Sequence, residues 1–245
     1  MPPQAVILLG GKGTRIAAQF PDVPKALVPV AGRPFLEWQL DWLRRNGIRR
    51  VHLAAGHKAE VLAAYLAKRP AEEMHLSLSR EPAPLGTGGA LKFVEPFLAT
   101  DPFLVLNGDS LAPRLDFSTV WKKIVHSVEN PDAEHGARLF AAPIEQAGRY
   151  GTVDFPEGGG PVAAFREKQN QAAGWINTGI YLIPRSMLAL LPAGQPASLE
   201  TGLFPALVRT GRLEALPAPP PLLDMGTPDG LAAMAHFLYG EDSTL

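Results

Sequence analysis

A glycine-rich turn, Gly10-Gly11-Lys12-Gly13-Thr14-Arg15, directly follows the apolar run Ala5-Val6-Ile7-Leu8-Leu9, and Pro24-Lys25 stands a short spacer further on. The run reads as a buried first strand. A glycine turn at the end of such a strand lets backbone N–H groups approach phosphate oxygens. Lys12, Arg15 and Lys25 add cations, and Thr14 a hydroxyl, to the same anion site. Two familiar phosphate loops fail on these residues. The P-loop needs G-x-x-x-x-G-K-[ST], but position 6 is Val6 and Lys12 is followed by Gly13. The dinucleotide pattern G-x-G-x-x-G fits Gly11 and Gly13 and fails at Ile16.

Two carboxylates follow apolar runs elsewhere. Leu104-Val105-Leu106-Asn107-Gly108-Asp109 reads as a buried strand ending in an acid, and Leu222-Leu223-Asp224-Met225-Gly226-Thr227-Pro228 repeats the device. Together Asp109 and Asp224 can hold Mg²⁺, which takes one or two carboxylates and leaves its other positions to phosphates and water. Each segment also has a plainer reading. Asn107-Gly108-Asp109-Ser110 is a strong turn sequence. Asp224 could cap the helix starting near Pro228, although Thr227 is itself a good cap. Glu81-Pro82-Ala83-Pro84-Leu85-Gly86-Thr87-Gly88-Gly89-Ala90 is a proline-stiffened loop entering a helix. Its glycines allow a flat ligand close to the backbone, and the helix N-terminus favours anions. Further on stand Tyr150-Gly151-Thr152-Val153, then Phe165-Arg166-Glu167-Lys168, then Asn177-Thr178-Gly179-Ile180-Tyr181. The six histidines show no ligand spacing, and Ser110 and Ser198 have no local base, so nucleophilic catalysis is not expected.

These groups need a scaffold that gathers them. Strands are expected at residues 5–9, 50–54, 75–79 and 103–106, with helices at 35–45, 59–67, 88–97 and 117–128. That alternation predicts an α/β fold with a parallel sheet covered on both faces. Ligands then sit at the carboxyl ends of the strands, where residues 10–15 and 107–110 share one crevice. The second half is more strand-rich, with strands expected at 138–142, 151–155, 162–166 and 175–183, a hairpin tip at Gly158-Gly159-Gly160, and helices near 199–209 and 228–238. Residues 1–245 read as a single domain: about 1–135 form a nucleotide-binding half and about 136–245 an acceptor-binding half on the same sheet. No repeat occurs, so no C-terminal β-helix is expected.

Bulk properties narrow the partners. The chain has 245 residues, a formal net charge of -1 and 19% charged residues. No basic excess points to nucleic acid or to a membrane surface. There is no cysteine, which excludes disulfides, thiolate metal sites and thiol catalysis and fits a reducing cytoplasm. The first strand starts within a few residues of Met1 and no apolar run approaches a bilayer's thickness, so neither a signal peptide nor a membrane span is expected. A cytoplasmic location follows as the expectation.

Taken in order, G-G-x-G-T-R, P-K, L-G-T-G-G, N-G-D, Y-G-x-V, E-K, N-T-G-x-Y and D-x-G-T-P run along nearly the whole chain. This series resembles the sugar-1-phosphate nucleotidyltransferases, or nucleoside diphosphate sugar pyrophosphorylases. The resemblance implies a Rossmann-like three-layer α/β/α sandwich with a mainly parallel central sheet, GT-A-like in kind. It implies that Leu9, Gly10, Gly11, Gly13, Thr14 and Arg15 hold the triphosphate, with Arg15 and Lys25 as the catalytic cations. Glu81, Gly86, Thr87 and Gly88 then belong to the base. Asn107, Gly151, Glu167, Lys168 and Asn177 line the sugar-phosphate side, and Asp109 and Asp224 hold Mg²⁺. Two departures stand out: Arg15-Ile16-Ala17-Ala18 replaces the common Arg-Leu-x-Pro, and Pro24-Lys25-Ala26 replaces P-K-P. Both leave the cations in place.

Guanine presents N1–H and N2–H₂ side by side, and a carboxylate, being acceptor-only, can receive both. Uracil and thymine offer one donor between two acceptors. Glu81 therefore tilts the base toward guanine, and the substrates toward GTP and a sugar 1-phosphate. The short guanylyltransferases without a β-helix are the most similar members, through Phe35-Leu36 after Gly32-Arg33-Pro34, residues 81–89, and Ser198-Leu199-Glu200 before Phe204-Pro205. They imply D-glycero-α-D-manno-heptose 1-phosphate as acceptor. The reaction so implied is attack by a sugar-phosphate oxygen on the α-phosphorus, with pyrophosphate leaving. The nucleophile is already anionic, so positioning and electrostatic stabilisation carry the work, with Mg²⁺ bridging both substrates. The alternatives are a uridylyl- or thymidylyltransferase, a mannose-1-phosphate guanylyltransferase, and a non-catalytic nucleotide-sugar-binding regulator. The retained Arg15, Lys25 and both aspartates weigh against the last. The sequence fixes neither the sugar nor whether the chain forms a homo-oligomer.

Overall fold

The computed structural model describes residues 2–11, 13, 16, 18–70, 74–128, 136–145, 152–166 and 173–242. Along the first part run β1 (Ala5–Leu9), β2 (Pro29–Val30), β3 (Arg33–Pro34), α1 (Phe35–Arg45), β4 (Arg50–Ala55), α2 (Ala59–Lys68), β5 (His75–Arg80), α3 (Gly86–Val94), β6 (Phe103–Asn107), β7 (Ser110–Leu111) and α4 (Phe117–Val128). The second part adds β8 (Ala137–Ile144), β9 (Thr152–Asp154), β10 (Gly160–Pro161), β11 (Ala164–Arg166), β12 (Gly174–Ile183), α5 (Phe204–Arg209), β13 (Leu213–Pro217), β14 (Leu223–Asp224) and α6 (Pro228–Asp242).

The central sheet runs β10-β13-β8-β12-β6-β1-β4-β5, with β9 and β11 attached to β12. β1 pairs in parallel with both β4 and β6, β4 with β5, and β13 with β8. β12 runs antiparallel to β6 and to β8. The long strands on either side of β12 therefore point the same way. The sheet is mixed and mostly parallel, and strands from both parts of the chain share it.

Alternation along the strands makes three layers. Ala5 and Ile7 pack with Phe35, Leu40, Trp42, Phe117 and Met234 on one face. Val6 and Leu8 pack with Leu91, Val94, Phe204 and Leu207 on the other. Period-two side-chain direction in β1 thus serves two helical layers at once, as a strand buried on both faces must.

Several boundaries differ from the sequence reading for local reasons. Strands β4, β5 and β6 each run one residue further, because the ladder continues through Ala55 opposite Arg80 and Asn107 opposite Leu8. Helix α3 begins at Gly86, and its last turn, Glu95–Phe97, is a 3-10 segment. Pro96 has no N–H to continue the α-helical ladder. Leu199–Leu203 is a single π turn that passes into α5. β13 was not expected: its end merges into a proline-rich tract, yet it pairs in full register with β8, and Pro217 is tolerated as the last residue.

Candidate active site

β1 is followed in space by β4 and β5 on one side and by β6 on the other. A parallel sheet opens a crevice at such a reversal. A cavity of about 390 Å³ lies there, lined by Leu9, Gly10 and Gly11 after β1, by Asn107, Gly108 and Asp109 after β6, by Lys25, and by Glu81, Gly86 and Thr87 from the loop after β5. Nine residues read from the sequence as ligand-binding are thus brought to one wall or another. Thr14, Arg15, Gly151, Glu167 and Lys168 lie outside the described residues.

Lys25 opens a short 3-10 turn, Lys25–Leu27, behind the extended Pro24. Its Nζ donates to Asp109 Oδ2 at 2.7 Å. Gly13, at φ +59, sits against the Lys25 stem, with its Cβ position 3.4 Å from Lys25 Cβ. That positive φ is why glycine is needed there. The glycine turn and the cation are therefore packed on each other rather than separately solvated.

The segments that carry the two aspartates are joined by a small antiparallel pair. β14 lies on β7 with Asp224 opposite Ser110, and the Met225 N–H donates to the Asp109 carbonyl at 3.0 Å. Asp224 Oδ1 accepts the Gly226 N–H at 2.7 Å. The cap of α6 is Thr227, whose Oγ1 accepts the Gly230 N–H at 3.1 Å. Asp224 is thus not the cap. Asp109, just before β7, lines the cavity, and Asp224 stands on β14 behind it without lining the cavity. One or two carboxylates so placed suit a magnesium ion that keeps phosphate and water ligands. Among the described residues no cluster of three or more His, Asp or Glu ligands competes with this pair. The residues fit the ion.

Glu81 is only 6% exposed although it borders the cavity. Its Oε2 accepts the Leu85 N–H at 2.9 Å. Burial pushes its carboxyl up from the ordinary carboxylate range, and the Leu85 N–H partly opposes this. A Cβ on Gly10 would collide with Glu81 Oε1. Gly10 therefore lets the carboxylate sit directly against the glycine turn after β1. Glu81 is no surface charge.

The loop at 86–89 behaves differently. Thr87 reaches the cavity, donates its hydroxyl to Glu200 Oε2 at 2.9 Å and accepts the Leu199 N–H at 2.9 Å. Gly88 does not line the cavity. Its N–H and that of Gly89 donate to the Ala197 carbonyl at 2.9 and 3.2 Å. Gly88 lacks a side chain because the segment around Ala197 lies against it. Glu200 was missed as a partner of this loop. Its signal was present in Ser198-Leu199-Glu200, since Ser198 accepts the Thr201 N–H and caps the π turn.

Asn177 lies outside the cavity lining, on β12. Its Nδ2 donates to Tyr181 Oη at 2.7 Å and its Oδ1 accepts the Gly179 N–H at 2.9 Å. Tyr181 is fully buried, and burial followed by the Glu200 charge holds its phenol well above the ordinary tyrosine range. A Cβ on Gly179 would stand 2.6 Å from Asn107 Nδ2. β12 is therefore pressed onto the cavity residue Asn107, which places Asn177 next to the site rather than in it.

Residues 4–239 match the nucleotidyl transferase family. The chain belongs to that family. It is similar to the mannose-1-phosphate guanylyltransferase catalytic subunit beta of Danio rerio, 32% identical over 242 residues that cover 96% of this chain and 64% of that protein. It therefore spans about 64% of the length of that relative. It is also 35% identical over 184 residues to the D-glycero-alpha-D-manno-heptose 1-phosphate guanylyltransferase of Campylobacter jejuni, covering 75% of this chain and 77% of that one. The crystal structure of HddC from Yersinia pseudotuberculosis complexed with GMP-PN superposes with a TM-score of 0.81 at 28% identity, over 96% of this chain and 99% of that one. The expected three-layer sheet is thus the nucleotidyl transferase fold. No helix of the described residues is long and apolar enough to cross a membrane.

Proposed function

We propose that this nucleotidyl transferase passes a guanylyl group from GTP to a sugar 1-phosphate, D-glycero-α-D-manno-heptose 1-phosphate first among acceptors, and releases pyrophosphate. The observation that carries the reading is the gathering of Glu81, Lys25, Asp109 and the Gly10–Gly11 backbone around one cavity. The names of the relatives support guanine and a sugar 1-phosphate as the chemistry. The GMP-PN complex of HddC supports a guanine nucleotide in a fold of this kind.

Glu81 accepts the guanine N1–H and N2–H₂ with the oxygen edge that Leu85 leaves open. The bare backbone at Gly10 and Gly11 faces the phosphates. Lys25 balances charge at the α-phosphate and at the incoming acceptor phosphate. Asp109 and Asp224 would hold Mg²⁺, which would neutralise phosphate charge when bound. The acceptor enters beside Asn107, from the side where β12 carries Asn177. The sugar-phosphate oxygen attacks the α-phosphorus, the bond to the β-phosphate oxygen breaks, and pyrophosphate leaves with that electron pair. Preorganised positive charge around two polyanions accounts for the acceleration. The cysteine-free composition supports a cytoplasmic setting.

A second reading takes mannose 1-phosphate as acceptor, favoured by the 32% identity to the Danio rerio protein across 96% of this chain. Pyrophosphate release across a grid of four nucleoside triphosphates and several sugar 1-phosphates tests both. Release with GTP and heptose 1-phosphate is expected. Faster release with mannose 1-phosphate selects the second reading, and no release with any pair removes the catalytic one.

A further inference from the structure

Gln39 stands on the core-facing side of α1 between Trp38 and Leu40 and is fully buried. A hydrophobic residue would satisfy that position at lower cost. Instead the Gln39 amide reaches the end of β6. Its Nε2 donates to the Asn107 carbonyl at 2.8 Å and to the Ser110 carbonyl at 3.1 Å. Its Oε1 is buried with no hydrogen-bond partner among the described residues. A buried acceptor left unpaired is destabilising. The side chain is therefore retained where a simple core demand would discard it, and departures of this kind gather at functional sites.

The two carbonyls that Gln39 holds bracket Gly108 and Asp109. The same turn is fixed from the opposite side by β1. The Gly108 N–H donates to the Leu8 carbonyl at 3.0 Å, and a Cβ on Gly108 would collide with Leu9. The Asp109 carbonyl in turn accepts the Met225 N–H, which fixes the strand carrying Asp224. One amide thus anchors the turn that carries Asp109, and the Asp109 carbonyl ties that turn to the strand carrying Asp224.

We infer that Gln39 is a positioning residue: its amide clamps the Asn107–Ser110 turn so that Asp109, and through Met225 also Asp224, hold the geometry needed at the phosphates. The inference rests on the proposed guanylyl transfer for its functional meaning. It does not for its structural one.

The test compares wild type with Gln39→Leu and Gln39→Met. Residue-resolved hydrogen exchange reads the amides of Gly108 and Met225, with β4 amides as the internal control. Both variants are expected to speed exchange at Gly108 and Met225 by about tenfold while β4 stays unchanged. At saturating substrates, kcat for pyrophosphate release is expected to fall roughly 10²-fold, as displacement of about 1 Å can cost. KM for GTP should stay within about threefold of wild type, since Gln39 touches no nucleotide. The Mg²⁺ concentration giving half-maximal rate should rise. Unchanged exchange at both reporter amides overturns the inference. So does equal acceleration in β4, which would make Gln39 a core-packing residue only. If wild type releases no pyrophosphate from any pair, the proposed function fails, and the exchange arm still decides the role of Gln39.

Discussion

Two glycine-rich loops flank the cavity, one after β1 and one after β5, and they use glycine for different physical reasons. At the first, a Cβ on Gly11 would meet nothing within 4 Å, and Gly10 is bare so that Glu81 can lie against it. At the second, a Cβ on Gly89 would stand 2.6 Å from the Gln195 carbonyl oxygen and 2.9 Å from Leu85 Cβ, and one on Gly86 2.6 Å from the Ala197 oxygen. At Gly11 the first loop leaves open space beside the cavity. The second is glycine-rich mainly because the chain around 195–197 occupies the space. The similar composition of the two loops conceals one open wall and one packing joint, although Gly86 and Thr87 of the second also line the cavity.

The largest effect expected on the ligand side is at the ion pair. Lys25→Ala and Asp109→Ala should each lower pyrophosphate release by roughly 10² to 10³-fold, the usual loss when a transition-state charge partner is removed. Melting temperature should move little, because the pair is partly exposed. Near-normal turnover in either variant would remove that residue from the chemistry. The two loops can then be set against each other. Gly89→Ala should destabilise by about 1–3 kcal/mol through overpacking, read by urea unfolding. Gly11→Ala should change stability by less than about 0.5 kcal/mol, as an open surface position does, yet raise KM for GTP. If Gly11→Ala unfolds the protein while Gly89→Ala spares it, the assignment of wall and joint is reversed.

This contrast marks how far the sequence could be read. The order of strands and helices was legible because β1, β6 and α1 carry clean apolar patterns, and α1 and α4 were bounded correctly from their sequence alone. The crevice followed from Gly10 and Asp109 both standing at strand ends. What was not legible came from partners distant in sequence. Nothing near Gly88 announces Ala197, and nothing near Gln39 announces the Asn107 and Ser110 carbonyls. Asn177 reads, by the resemblance, as a sugar-phosphate-side residue, but its amide is oriented by Tyr181, a residue whose hydroxyl is hidden in the core. β13 was missed because its apolar residues run into prolines and its pairing with β8 is non-local.

Buried titratable groups extend the comparison from glycine to charge. His52 belongs to the scaffold. It is fully buried, bridged by the Ser77 and Ser79 hydroxyls at 2.8 and 2.9 Å and stacked on Phe97. Burial lowers its pKa to about 4. The unfolded chain therefore takes up a proton before the folded one does. Its contribution to stability is complete above about pH 6.5 and is lost as pH falls toward 4, at up to about 1.4 kcal/mol per pH unit. Urea unfolding at pH 7.5 and 5 should differ through this group by about 2 kcal/mol, and His52→Asn should flatten that slope. An unchanged slope in the variant would place the acid sensitivity elsewhere.

Glu81 is the cavity-side counterpart, and its sign is opposite. Its pKa is raised by burial, so the folded state holds the proton more tightly than the unfolded one. Its stabilising contribution is present in acid and is lost as pH rises through the folded value. At neutral pH Glu81→Gln should therefore be at least as stable as wild type, with the advantage shrinking as pH falls. Function should move the other way. The Gln oxygen must serve the Leu85 N–H now held by Oε2, which turns the NH₂ toward the cavity and against the guanine donors. The preference for GTP over UTP in kcat/KM should drop by about tenfold or more, since a hydrogen bond to a charged group is worth about 1.5–3 kcal/mol. A variant that gains stability and keeps its GTP preference would show that Glu81 belongs with the packing joint. A variant that gains stability and loses the preference would place it on the ligand wall, where a buried carboxylate is kept at a cost because a base needs two acceptors.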